Sequence, residues 1–311
     1  MEEINNFAPV LIPTLNRHVH FKYCVESLSR CTYADKTDLF IALDYPLNES
    51  HWEGYKVINE YVDTIKGFNT VHIIRREKNF GVERNLYETM DDIFENHETL
   101  ILSEDDNEFA PNFLEYINKG LRKFKDAEDV FAICGYNYPI DINNNYGNHY
   151  LAREYSAWGV GLWKGKTKNT LSKWDFSYVE SVLKNPLKML RINRQINSFL
   201  RIMKTKRILG DVVITADLNL FNKYCVFPID SLVKNYGHDG TGQNSVKITG
   251  YNKFLNQKID NNSMFEFSTE IDNSKQLKRE LKKYFYISVN MRIKNALKYF
   301  IYITTGKIIG I

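Results

Sequence analysis

Short apolar runs alternate with helix-period segments through the first third of the chain, and this alternation limits the fold to a parallel sheet covered by helices. The runs are Ala8-Pro9-Val10-Leu11-Ile12-Pro13, Asp38-Leu39-Phe40-Ile41-Ala42-Leu43, Thr70-Val71-His72-Ile73-Ile74-Arg75 and Thr99-Leu100-Ile101-Leu102. Between them a helix is expected near Lys22 to Arg30. A second is expected over Trp52 to Ile65, where Trp52, Tyr55, Ile58, Tyr61, Val62 and Ile65 recur at three and four to bury one face. A third follows the loop Lys78-Asn79-Phe80-Gly81 and runs through Phe94. Phe131 to Tyr136 reads as a further strand, and an Asn/Gly-rich loop continues to Asn148. Lys184 to Arg207 is helix-like and holds Lys184, Lys188, Arg191, Arg194, Arg201, Lys204, Lys206 and Arg207 with no acid, which predicts a positive surface. Residues 275 to 311 are basic and aromatic. The expectation is an α/β chain with a mostly parallel twisted sheet flanked by helices and a helical basic C-terminal appendage. It divides into segments 1–130, 131–250 and 251–311.

Composition excludes several classes. With 41 Lys and Arg against 38 Asp and Glu, the net charge of +3 is too small to mark the whole chain as a nucleic-acid binder. Cys24, Cys31, Cys134 and Cys225 form no CxxC pair and have no zinc-like spacing, so they are expected to be reduced. No uninterrupted apolar run approaches the roughly 20 residues that span a bilayer, and Met1 to Phe7 is acidic and polar. A cytoplasmic location is expected, peripheral on the inner face of the membrane if the basic C-terminal stretch meets anionic lipid. The alternative for that stretch is a solvated helix packed on the body of the protein.

In open α/β sheets, ligands bind beyond the carboxyl ends of the strands. Thr14, Asn16, Arg17, Asp44, Asn79 and Asp106 all fall at such ends, so one sheet edge is the expected site. The strongest local signal there is Glu104-Asp105-Asp106, directly after Ile101-Leu102-Ser103. Like charges this close repel unless a cation lies among them, and Mg2+ or Mn2+ bind through one or two carboxylates plus substrate phosphates. The competing reading is a solvated acidic turn that caps the next helix.

Glu104-Asp105-Asp106 followed by Phe109-Ala110-Pro111-Asn112-Phe113-Leu114-Glu115-Tyr116 resembles the acidic motif and next helix of A-type-fold glycosyltransferases, the bacterial family 2 enzymes and N-acetylglucosaminyltransferase I among them. Val10 to Arg17 is similar to the first strand and nucleotide loop of that group, Ile41-Ala42-Leu43-Asp44 to its second strand, and Asn79 to Asn85 to the loop before the donor-side helix. The resemblance covers about residues 8 to 245. It implies the nucleotide-diphospho-sugar transferase fold and an inverting, metal-assisted transfer from a nucleotide sugar, UDP-linked, to a hydroxyl of a bacterial surface glycan, capsule or lipopolysaccharide, free or lipid-linked.

By position, the resemblance makes Asp106 the ligand of Mn2+ or Mg2+. Pro13, Thr14, Asn16, Arg17, Asp44, Asn79, Arg84, Glu104 and Asp105 become donor-binding residues. Tyr155 to Trp163 is similar to the segment that floors the sugar pocket, through Trp158, Gly159 and Trp163. Pro228 to Gly240 resembles a late strand and closing loop, residues 237 to 243, in which His238 reaches the metal or a phosphate. An inverting transferase needs a base for the acceptor hydroxyl; Asp211 takes that place, with Asp217 as its rival. A sugar nucleotidyltransferase of the same fold is the nearest alternative, but it would carry a Gly-rich phosphate loop after the first strand, and Pro13 to Arg17 has none. A non-catalytic carbohydrate- or membrane-binding module is the other, and it predicts no metal-dependent nucleotide binding.

Overall fold

The computed structural model describes residues 6–140, 147–171, 175–240, 256–268 and 275–310. In chain order the strands are β1 (Val10–Thr14), β2 (Asp38–Leu43), β3 (Thr70–Arg75), β4 (Thr99–Leu102), β5 (Asn107–Phe109), β6 (Val130–Cys134), β7 (His149–Ala152), β8 (Val160–Trp163), β9 (Tyr224–Pro228) and β10 (Val233–Asn235). The first helices are α1 (His18–Ser29), α2 (Trp52–Tyr61), α3 (Val82–Asn96), α4 (Phe113–Lys123) and α5 (Lys164–Leu171). They are followed by α6 (Phe176–Leu183), α7 (Pro186–Arg191), α8 (Ile196–Thr205), α9 (Gly210–Phe221), α10 (Lys275–Tyr284) and α11 (Val289–Thr305).

Eight strands form one sheet in the order β3-β2-β1-β4-β8-β6-β9-β7. β8 runs against β4 and β6, and β7 runs against β9; the other six strands point the same way. This is the mostly parallel, helix-flanked α/β architecture expected. The sheet passes without a break from β4 through β8 to β6, so segments 1–130 and 131–250 share it. Period-2 alternation divides the strand side chains between two cores. Val10, Ile12, Leu39 and Ile41 face α1, α2 and α4, while Leu11 and Ala42 face α3 and α9. Each buried aliphatic side chain contributes about 1.5–3 kcal/mol, which outweighs weak local signals at helix ends. α1 illustrates this: it starts at His18, earlier than expected, with no side-chain cap from Arg17 and no acid in its first turn, held by buried Phe21, Cys24, Val25 and Leu28.

A third core lies outside the sheet. Val179, Val182, Leu183, Met189, Ile196, Phe199, Leu200 and Ile202 of α6 to α8 pack on Val213 and Ala216 of α9. Here the expectation of one positive, helix-like surface over 184–207 is corrected. Asn193–Gln195 form a 3-10 turn between α7 and α8. Arg194 pairs with Glu154 at 2.6 Å, Arg207 with Glu83 at 2.7 Å and Lys184 with Glu180 at 3.1 Å, so acids from other segments neutralise part of the basic run. The late chain is tied into the body: Phe265 packs edge-on against Tyr116 at 4.7 Å, and Leu277 of α10 is buried under the sheet.

Candidate active site

β1 ends at Thr14, whose hydroxyl donates to Asp105 Oδ2 at 2.9 Å. Arg17 follows at the start of α1, and its Nη1 donates to Asp105 Oδ1 at 3.2 Å and Asp106 Oδ2 at 2.6 Å. The acids leave the end of β4, and the chain then turns into β5, which pairs antiparallel with β10. That pairing delivers Asn235, whose amide donates to Asp106 Oδ1 at 2.5 Å. The next residue, Tyr236, donates its backbone N–H to the Asp106 carbonyl at 2.9 Å. A Cβ on Gly237 would lie 2.2 Å from Asp106 Oδ2, so glycine lets the turn after β10 pass close to the carboxylate.

Two carboxylates thus meet one guanidinium, and Glu104 precedes them in the chain. Burial disfavours the charge on Arg17, but Asp105 and Asp106 outweigh that and hold it protonated. Burial pushes Asp105 up to about 6, with Arg17 opposing and Asp106 adding to the rise. Enclosure by the cleft walls raises Glu104, and Asp106, Asp211 and Asp105 raise it further. The surplus of negative charge over Arg17 is what a divalent cation with a diphosphate would relieve. Arg17 also has two buried N–H groups, at Nε and Nη2, without a hydrogen-bond partner among the described residues, and they are suited to phosphate oxygens. No set of three or more His, Cys, Asp and Glu side chains encloses a metal position among the described residues. Both oxygens of Asp106 already accept, Oδ1 from Asn235 and Oδ2 from Arg17.

Beside Glu104 opens a cleft of about 170 Å³, walled by Leu86, Tyr87, Phe131, Tyr155 and Ile214 and carrying Asp211 at its rim. Asp211 lies in the first turn of α9, exposed at the rim, and the protein packed around it raises its proton affinity. The Arg207–Glu83 pair closes one lip by joining α3 to the residues before α9.

No protein-family model matches this sequence, and no curated protein matches it. Among solved structures, the mannosyltransferase PcManGT from Pyrobaculum calidifontis, in complex with GDP-Man and Mn2+, is similar with a TM-score of 0.42 and 10% identity, over 68% of this chain and 69% of that one. TarS 1-349 from S. aureus in complex with UDP-GlcNAc is similar with a TM-score of 0.36 and 11% identity, over 54% of this chain and 48% of that one. Likenesses this remote leave the chemistry to the site itself.

Of the residues expected at the site, Thr14, Arg17, Asp105 and Asp106 form one hydrogen-bonded cluster, Glu104 directly precedes it in the chain, and Pro13 and Asn16 lie in the same strand end and loop. Trp158 donates its indole N–H to Glu104 Oε2 at 3.1 Å. Gly159, beside it, has φ +69. His238 sits in the turn Gly237–Asp239 with its ring 5.6 Å from Trp158. Burial lowers its proton affinity while Asp106 pulls the other way. Asp239, next to it, pairs with His20 of α1 at 3.1 Å, which anchors the turn. Residues 241 to 243 of the expected closing loop lie outside the described residues.

Other expected residues have other work. Asp44 is buried and accepts from the backbone N–H groups of Tyr45, Phe80 and Gly81 at 2.8 to 2.9 Å, and from Asn79 at 3.3 Å. With Asn79 it shapes the loop before α3. Arg84 pairs with Glu88 at 2.6 Å and lies 4.0 Å over Phe80. Trp163 is a correction. Val160 of β8 faces Leu102 at the acidic edge, while Trp163 faces Thr99 at the opposite end, where it is buried and donates to the Leu121 carbonyl at 3.1 Å. It is a core residue. Asp217, the rival base, is buried in α9, accepts from the Tyr178 hydroxyl and does not line the cleft. Asn235 and Gly237 are site residues that the sequence did not single out, because an Asn ending a short strand carries no signal until its partner across the sheet is known.

Proposed function

We propose that this chain is an inverting glycosyltransferase that moves a sugar from a nucleotide diphosphate sugar, UDP-linked, to a hydroxyl of a bacterial surface-glycan acceptor, free or lipid-linked. The observation that carries the reading is the convergence of β1, β4 and β10 on Arg17, Asp105, Asp106 and Asn235 beside a cleft that holds Glu104 and Asp211. Arg17 binds the diphosphate through its two unpartnered N–H groups. The loop held by Asp44 and Asn79 flanks the nucleotide. Trp158 offers a flat apolar face for the sugar ring while its N–H fixes Glu104. Asp106, with His238 nearby, would hold Mn2+ or Mg2+, and such an ion supplies positive charge against a departing diphosphate. Asp211 accepts the proton of the attacking hydroxyl, and its raised affinity brings it nearer the operating pH of a general base.

Calorimetric titration with UDP, GDP and CMP, with and without Mn2+, tests this directly. The expected result is metal-dependent binding of UDP that is lost in Asp106→Ala. A folded sample that binds none of the three would overturn the transferase reading.

A further inference from the structure

α11 is built the wrong way round for a helix in water. Its inward side is mixed: Asn295 accepts from Asn197 at 2.8 Å and donates to the Asn193 carbonyl at 3.2 Å, while Tyr299 and Tyr302 pack on the third core and the Tyr299 hydroxyl donates to the Leu183 carbonyl at 2.7 Å. Its outward side is apolar. Val289, Ile293, Leu297, Phe300 and Ile303 recur at steps of four, four, three and three along the 17-residue helix, and all are exposed, Phe300 by 64%. A surface helix of a water-soluble protein turns such a stripe toward its core.

The charge beside this stripe has one sign. No acidic side chain occurs after Glu280, whereas Lys282, Lys283, Arg292, Lys294, Lys298 and Lys307 all follow it. Arg292 and Lys294 are exposed on the helix itself, and Lys282, Lys283 and Lys307 are exposed on the segments at its two ends. A second copy is a poor partner. The stripe is roughly 25 Å long and about 10 Å wide, roughly 250 Å² against the ~800 Å² per partner of a stable interface, and pairing two copies would set cation against cation. No helix among the described residues is long and apolar enough to cross a membrane, so insertion would be shallow.

We propose that the outward face of α11 docks on an anionic lipid surface, with Val289, Ile293, Leu297, Phe300 and Ile303 seated at headgroup depth and the flanking Lys and Arg side chains against lipid phosphates. This surface is separate from the acidic strand edge, so the proposal stands or falls independently of the chemistry there. It would hold the protein at the membrane as a peripheral protein.

The test is cosedimentation of the full chain with phosphatidylcholine vesicles, with and without phosphatidylglycerol, at low and high salt. Binding is expected only to the phosphatidylglycerol vesicles and should weaken with salt. Phe300→Glu should reduce it about tenfold, and Arg292→Gln with Lys294→Gln should flatten the salt dependence. Phe300→Ser serves as a second variant, with circular dichroism reporting that each remains folded. Failure to bind anionic vesicles, or binding that Phe300→Glu leaves intact, overturns the proposal. So does a lipid-free dimer seen by light scattering that Phe300→Glu dissolves, because the face would then be a contact between copies.

Discussion

The acidic strand edge and the basic helical end of the molecule handle charge in opposite ways. At the edge, Arg17, Asp105, Asp106 and Asn235 come from three separate parts of the chain, and hydrogen bonds hold each one in place. At the end of the chain, Lys282, Lys283, Arg292, Lys294 and Lys307 are exposed beside an apolar stripe. Groups that stabilise a reacting centre must be immobile before the substrate arrives. Groups that meet an extended surface need only be reachable. The molecule thus separates a fixed, inward-facing set of acids from an open, outward-facing set of bases.

The largest effect that sharpens this contrast is expected at Asp211. If the fixed edge is catalytic, Asp211→Asn should lower kcat by about 10²–10⁴-fold with nucleotide affinity unchanged. Asp217→Asn, which loses an acceptor for the Tyr178 hydroxyl away from the cleft, should leave kcat near wild type and cost about 1 kcal/mol of stability. Steady-state kinetics on the two variants decides the matter, and loss of kcat in Asp217→Asn alone would move the base. Next comes Arg17→Ala, which strips the cation from two crowded carboxylates. It should cost about 3–5 kcal/mol in chemical denaturation and abolish UDP binding, whereas neutralising Lys294 on α11 should change neither.

The third effect comes from a buried group outside both regions. His149 of β7 is fully buried, with Phe267 4.8 Å and Phe124 6.0 Å from its ring, and burial pushes its proton affinity down to about 4, with Lys123 adding to the drop. The unfolded chain therefore binds more protons than the folded one between pH 6.5 and about 4. Stability is full above pH 6.5 and falls as pH drops through that window, by at most about 3 kcal/mol. His149→Phe should flatten thermal stability between pH 7 and 4.5. A slope of the same sign that persists in this variant would overturn the assignment to His149, because Glu104 and Asp105, whose proton affinities burial raises, give the opposite slope.

How much of this was legible in the sequence depends on distance along the chain. β2, β3 and β4 are found at the expected residues, because each is an apolar run bounded by polar turns, even though β3 is a half-exposed edge strand while β4 is buried along most of its length. The acidic triplet was legible for the same reason, since it directly follows β4. β7 was not, because it has four residues and exists through pairing with a distant strand, and β10 was legible only as a late strand somewhere within Pro228 to Gly240. Trp163 was misplaced because reading along the strand does not show which end of β8 points to the site. The basic run 184–207 looked uncompensated because its acids, Glu83 and Glu154, lie in segments far from it.

The two-stranded ribbon of β5 and β10 also sets a timetable. Asn235 reaches back 129 positions to Asp106, and contacts that close such long loops form late in folding. During synthesis the first parallel strands can pair while the acids still lack their last partner. An N-terminal fragment that stops before β9 would retain Arg17 and the acidic triplet and still lack the strand that completes them. The strand edge is thus completed only late in the protein's own assembly.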